Sequence, residues 1–172
     1  QRLVHMVNNL LDHAQAQSGM LKIRNEVVSP FSLMQIVANL LSELAREKNL
    51  LLKTDIDPTL PAIIMGDNGR LQQILLNLIG NAIKFTDQGE VCVSFQKQEF
   101  EQADLWRIVV RDTGIGIPEE RQPDIFEPFR RGSDYATRCH QGAGLGLSIV
   151  KNLVALMDGK MEVERTVGKG SI

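Results

Sequence analysis

No apolar run in the 172-residue sequence is long enough to cross a bilayer, which takes about 20 residues in a helix. Positive charge is not in excess either. Nineteen Lys and Arg stand against 21 Asp and Glu, a net charge of −2, so no basic field recommends nucleic acid as a partner. Cysteine is scarce: Cys92 and Cys139 lie far apart without metal-ligand spacing and read as two reduced thiols. No internal repeat, low-complexity tract or signal peptide is visible. Gln1 is not a natural start, so the expectation about a leader extends only to the residues present. What is present, 43% hydrophobic residues, suffices for one domain with a proper core and some extra chain.

The stretch that organises the chain spans residues 75–86. At helical period, Leu75, Leu78, Ile79, Ala82 and Ile83 form one apolar stripe. Asn77, Asn81 and Lys84 fall at i, i+4 and i+7 and stack on a second face. An amide oxygen is a hard, neutral ligand of the kind Mg²⁺ accepts beside substrate phosphates, and a neighbouring lysine is a point charge for the anion. A merely solvated face with two asparagines is the alternative on these residues alone.

Around that helix the chain alternates in type. Residues 1–17 carry a seam at Leu3, Val7, Leu10 and Ala14, the pattern of a bundle or coiled-coil helix, and Ser18-Gly19 stops it. Residues 20–28 alternate as a strand. Ser29-Pro30 opens a helix running to Lys48 through Leu33, Ile36, Val37, Leu40, Leu41 and Leu44. Strands are expected over 50–56, 90–96 and 105–112, the last two as a hairpin, with residues 67–69 capping the central helix. A further strand is expected over 160–166 and a glycine turn over 168–170.

Two glycine-bearing stretches remain. Asp112-Thr113-Gly114-Ile115-Gly116-Ile117-Pro118 puts a carboxylate at a strand end, followed by glycines that let a planar ligand approach the backbone. Such a carboxylate accepts from the exocyclic amine of adenine and is repelled by the carbonyl that guanine presents there; an Asx-type turn is the alternative. Gly142-Ala143-Gly144-Leu145-Gly146-Leu147-Ser148 opens a helix through Met157 and offers backbone N–H groups to an anion. It is neither a Walker A loop nor a Rossmann fingerprint, lacking the Gly-Lys-Ser/Thr of one and the preceding strand of the other.

In combination these stretches resemble the ATP-binding domain of sensor histidine kinases, in the GHKL superfamily. Residues 77–86 resemble its N box, 112–118 its G1 box, Phe126-Glu127-Pro128-Phe129 its F box, and 142–148 its G2 box. Four ordered motifs between residues 29 and 172 make the likeness specific. The spelling of residues 70–86 is similar to that of the hybrid, multidomain class, and residues 1–19 resemble the end of a dimerisation and phosphoacceptor hairpin. The resemblance implies an α/β (α+β) two-layer sandwich at residues 20–172, a mixed sheet with helices on one face, preceded by a bundle helix.

The same resemblance assigns roles. Asn77 and Asn81 become Mg²⁺–phosphate residues, Lys84 a phosphate or ribose contact, and Phe85 a wall beside the base. Asp112 becomes the adenine anchor with Gly114 and Gly116 beside it; Gly142, Gly144 and Gly146 become the phosphate-side glycines. Arg131 matches a lid arginine directed at the γ-phosphate, with Arg130 its competitor. The implied activity is transfer of the γ-phosphoryl of Mg·ATP to a histidine outside the sequence, since His5, His13 and His140 all lack the acceptor context and read as surface or packing residues. The implied partners are a second copy joined through the N-terminal helix, a response regulator or receiver domain, and another sensor kinase. The implied setting is the cytoplasmic part of an inner-membrane sensor. A weakly catalytic module regulating another kinase, and an ATP-hydrolysing GHKL protein, are the competing readings.

Overall fold

The computed structural model describes residues 21–100, 103–118, 124–128, 144–166 and 170–172. The seam of residues 1–17, with His5 and His13, lies outside them.

Local chemistry sets the boundaries of the first helix. Helix α1, Pro30–Glu47, starts where Ser29 Oγ accepts from the Ser32 N–H at 3.3 Å and Pro30 fixes the first turn. It buries Leu33, Met34, Val37 and Ala45. It ends in a Schellman motif: Asn49 turns left-handed at φ 55°, its N–H donates to Arg46 O at 3.0 Å, and Leu50 N–H donates to Ala45 O at 2.9 Å. The chain then enters strand β2, Leu51–Ile56.

Strand β1, Glu26–Val28, pairs antiparallel with β3, Ile64–Gly66. The strand expected over 20–28 therefore shortens to three residues. Its partner is only three residues long, and Leu21 instead packs into the apolar cluster beneath the C-terminal helix. Helix α2, Asn68–Phe85, follows β3, capped by Asp67, whose Oδ1 accepts from Arg70 N–H at 3.0 Å.

Strands β4, Glu90–Phe100, and β5, Ala103–Asp112, form the expected hairpin. β4 runs past residue 96 because β5 supplies a partner along its whole length, from Val91↔Asp112 to Phe100↔Ala103. Helix α3, Gly146–Leu156, precedes β6, Arg165–Thr166, and β7, Gly170–Ser171. The strand expected over 160–166 narrows to β6, although Glu164 and Ile172 still exchange two backbone bonds at 2.9 and 2.7 Å.

The main sheet has the order β2-β4-β5-β7-β6, with β2 parallel to β4 and the other pairs antiparallel. One face, with Val91, Val93 and Phe95 buried, packs against α1 and α2 through Leu33, Val37, Leu75, Ile79 and Ile83. The other turns Cys92, Ser94 and Gln96 away from that core, beside the exposed Arg107 and Arg111. On its rim Lys53 and Glu90 pair at 2.6 Å; each perturbs the other, Lys53 titrating above and Glu90 below its ordinary range through their mutual hydrogen bond. This is the two-layer mixed sandwich with helices on one face.

A second cluster of Leu21, Ile74, Leu145, Ile149, Val150 and Leu153 seats α3 beside α2, and Met157 touches both clusters. Helix α2 therefore carries two apolar faces. Leu75 and Ile79 point to the sheet, whereas Ile74 points to α3. The strip left between α2 and the ends of β5 and α3 is where the polar residues gather.

Candidate nucleotide site

The polar face of α2 is set by its apolar ones. With Leu71, Ile74, Leu75, Ile79, Ala82 and Ile83 buried, helical period leaves Asn77, Asn81 and Lys84 half-buried together. Asn77 Nδ2 donates to the Gln73 carbonyl at 3.0 Å, which directs Oδ1 away from that turn. It points at the start of α3: a Cβ on Gly146 would lie 3.1 Å from Asn77 Oδ1 and 3.5 Å from Asn81 Nδ2. Glycine at 146 lets the two asparagines approach the helix backbone.

Helix α3 begins without a side-chain cap, Leu145 offering no acceptor, and its first backbone bond runs from Ile149 N–H to Leu145 O at 3.0 Å. The N–H groups of residues 146–148 precede that bond, at the positive end of the helix dipole. Gly144, at φ 70°, turns the chain into this position. The Asn77 amide oxygen, the Asn81 amide and a helix N-terminus thus converge, a combination suited to a metal-bearing polyphosphate.

One turn further along α2, the second half of the site forms around Asp112. This carboxylate closes β5 and is 9% exposed, and its Oδ1 accepts from the Gly114 N–H at 2.8 Å. Gly114 lies directly against the Phe85 carbonyl, with no room for a Cβ, and Ile115 N–H donates to the same carbonyl at 3.3 Å. Gly116, at φ 71°, continues the loop. Phe85 stands beside Lys84, whose Nζ lies 4.7 Å from its ring centroid.

The structure brings together Asn77, Asn81 and Gly146 at one end, and Phe85, Asp112 and Gly114 at the other. Lys84 and Gly144 stand next to these groups. Arg131, Arg130, Gly142, Phe129 and His140 lie outside the described residues. Phe126, the first aromatic of the stretch resembling the F box, has its ring centroid 5.4 Å from Lys151 Nζ on α3.

Sequence reasoning missed three supports. Thr113 ties the loop to the preceding turn: its Oγ1 accepts from Glu90 N–H at 3.0 Å, and Thr113 N–H donates to Glu90 O at 3.2 Å. Gly170, at φ 94°, abuts the Asp112 carbonyl so closely that only glycine fits. Its place in a glycine turn was a visible signal, but its contact was not. The third is Lys48, whose ammonium reaches the C-terminal carbonyls of α2; nothing in its sequence neighbourhood marks it.

The chain resembles known proteins along nearly its whole length. It is 35% identical to the autoinducer 2 sensor kinase/phosphatase LuxQ of Vibrio vulnificus strain YJ016, over 99% of the chain and 20% of that protein. It is 38% identical to hybrid signal transduction histidine kinase A of Dictyostelium discoideum, over 99% of the chain and 8% of that protein. The chain therefore spans a fifth or less of these curated relatives. Among solved structures, full-length ShkA in complex with AMPPNP superposes with a TM-score of 0.83 at 35% identity, covering 99% of this chain and 34% of that one. The family described as histidine kinase-, DNA gyrase B-, and HSP90-like ATPases matches residues 66–172, which hold both halves of the site. The chain belongs to that family.

Proposed function

We propose that this chain is the ATP-binding catalytic domain of a sensor histidine kinase, and that it transfers the γ-phosphoryl of Mg·ATP to a histidine on a helix beyond its own sequence. The carrying observation is the double convergence on α2: Asp112 and Gly114 against Phe85 at its C-terminal end, and Asn77 and Asn81 against Gly146 one to two turns earlier. Adenine fits the first group. The Asp112 carboxylate is acceptor-only, and Gly114 and Gly116 allow a flat base to approach the backbone. The polyphosphate fits the second, at the N-terminus of α3.

Mg²⁺ fits the asparagine face. No group of three or more His, Cys, Asp or Glu among the described residues forms a metal cage. Asn77 through Oδ1, and Asn81 through its own amide oxygen, would hold the metal as neutral, hard ligands beside the substrate phosphates. When bound there, the metal would supply charge neutralisation on the phosphates; Lys84 adds a positive charge of the chain's own, and Arg131 is assigned to the γ-phosphate by the resemblance. In the transfer, an imidazole nitrogen of the acceptor forms the new N–P bond. The bond between the γ-phosphorus and the bridging oxygen breaks, and ADP leaves with that electron pair. The domain's contribution is positioning and charge.

Asn77 also argues for transfer over hydrolysis. A neutral amide takes no proton from water, so the competing nucleophile stays unactivated. Dimerisation through the N-terminal helix, a response regulator or receiver domain as the next acceptor, pairing with another sensor kinase, and placement on the cytoplasmic side of an inner membrane belong to the same proposal.

The test is incubation with γ-labelled ATP of the chain extended upstream through its acceptor helix. Acid-labile, base-stable label on the protein is expected, with little free phosphate. Sustained phosphate release without labelled protein would favour an ATPase instead.

A further inference from the structure

Helices α1 and α3 end alike, and α2 does not. After α1, Asn49 turns left-handed and the backbone itself satisfies the last carbonyls. After α3, Asp158 does the same at φ 56°: its N–H donates to Ala155 O at 3.1 Å, and Gly159 N–H donates to Val154 O at 2.9 Å. Helix α2 instead runs into Thr86 in extended conformation, φ −107° and ψ 121°, so the chain leaves without folding back over its own end.

Its last carbonyls are met from elsewhere. Ala82 O accepts from Thr86 Oγ1 at 2.7 Å, and Phe85 O from Ile115 N–H at 3.3 Å. Ile83 O and Lys84 O both accept from Lys48 Nζ, at 2.9 and 2.8 Å, and the same ammonium donates to Thr86 O at 2.8 Å. Three donors meet three carbonyls, and the cation sits at the negative end of the helix dipole with Asp87 3.7 Å away. Lys48 holds this position because the α1 terminus fixes its backbone; its own N–H donates to Ala45 O at 3.2 Å.

From this geometry we infer that Lys48 is a positioning residue for the base-binding half of the nucleotide site. It touches neither base nor phosphate. It fixes residues 83–86, and through them the Phe85 carbonyl against which Gly114 and Ile115 register the Asp112 loop. Without the ammonium, two adjoining carbonyls inside the last turn and a third just past it lose their donor. The turn then frays toward water, and Phe85 and the Asp112 loop lose their common reference. The role rests on the nucleotide-site reading given above.

The experiment measures ADP affinity by calorimetry with Mg²⁺ present, melting temperature, and hydrogen exchange at the Ile115 amide, in wild type, Lys48→Met, Lys48→Arg and Asp112→Asn. Lys48→Met keeps the stem and removes the donors; its Kd for ADP rises about tenfold at temperatures where the protein remains folded, and Ile115 exchanges faster. Lys48→Arg keeps the charge but replaces the three-way ammonium with a planar fork, giving the same two effects at about threefold. It also serves where Lys48→Met fails to fold. A purely structural lysine would lower the melting temperature while leaving ADP affinity and Ile115 exchange unchanged in every folded variant, and that result overturns the assignment. Asp112→Asn separates the two failures. If it abolishes binding while the Lys48 variants bind normally, only the role of Lys48 falls; if it too binds normally, the site is misplaced and the role of Lys48 falls with it.

Discussion

Replacing Gly114 with alanine is expected to disable the site while sparing the fold. A Cβ at this position overlaps the Phe85 carbonyl oxygen and approaches Phe85 C and Asp112 Oδ1 to 2.9 Å each. Carbon contacts settle at about 3.5 Å or more, so the loop must retreat by roughly 0.6 Å from Phe85 C. The Ile115 N–H to Phe85 O bond is already 3.3 Å long, and such a retreat takes it beyond hydrogen-bonding range. The 2.8 Å bond from Gly114 N–H to Asp112 Oδ1 is strained by the same movement. Losing the first bond and weakening the second costs about 1–3 kcal/mol, concentrated in the loop. Because that loop carries Asp112, the proposed base anchor, the loss should appear as a fall of about 5- to 150-fold in ADP affinity. The cores around Leu75 and Ile149 contain no atom of Gly114, so melting should move by only a few degrees. Calorimetric titration beside thermal unfolding reads both quantities. Wild-type ADP affinity in the alanine variant would refute the register argument.

Gly80 provides the contrast, since a Cβ there meets nothing within 4 Å; Gly80→Ala should stabilise α2 by roughly 0.5–1 kcal/mol, raise the melting temperature, and leave ADP affinity unaltered. If Asn81 holds Mg²⁺ as proposed, Asn81→Ala should reduce affinity for ADP with Mg²⁺ more than affinity for adenosine, because the proposed amide ligand is lost while the proposed base pocket stays; equal losses in the two titrations would remove the metal role. Asp57 titrates below the ordinary carboxylate range because Thr59 Oγ1 and the Thr59 N–H donate to its Oδ1 at 2.6 and 2.8 Å. Its contribution to stability is complete above the unfolded-state value and is lost as pH falls through the lowered folded value, so Asp57→Asn should flatten the acid limb of a stability-versus-pH curve.

Legibility of the fold followed the length of each repeating pattern. Helices α1 and α2 combine sustained apolar period with a side-chain cap, Ser29 and Asp67, and both starts were readable. β1 is readable only as the end of a longer expected strand, and β3 not at all: three residues carry almost no period, and their pairing is a tertiary fact. β4 extends to Phe100 rather than to residue 96, because only the partner strand determines how far a hairpin ladder extends. In the site, Asn77 and Asn81 were legible as polar interruptions of a strongly apolar helix. Asp112 was legible from its place between a strand and two glycines. Lys48 is separated from its carbonyl partners by 35 to 38 residues and belongs to no motif, so nothing local distinguishes it from a solvated lysine. Gly170 requires knowledge that β7 lies beside β5. Arg131 and Gly142 fall outside the described residues, and their roles rest on the resemblance alone.

The central claim is that Asp112 anchors adenine in a site shared by α2, α3 and the end of β5. Titrating ADP and GDP in turn, with Mg²⁺, into wild type and Asp112→Asn tests it most directly. A carboxylate accepts from the amine of adenine and repels the guanine carbonyl, so wild type should bind ADP at one site and GDP at least about 100-fold more weakly. Asp112→Asn should lose most of the ADP affinity while melting close to wild type. Equal affinity for the two nucleotides in wild type, or undiminished ADP binding by the asparagine variant, would contradict the account.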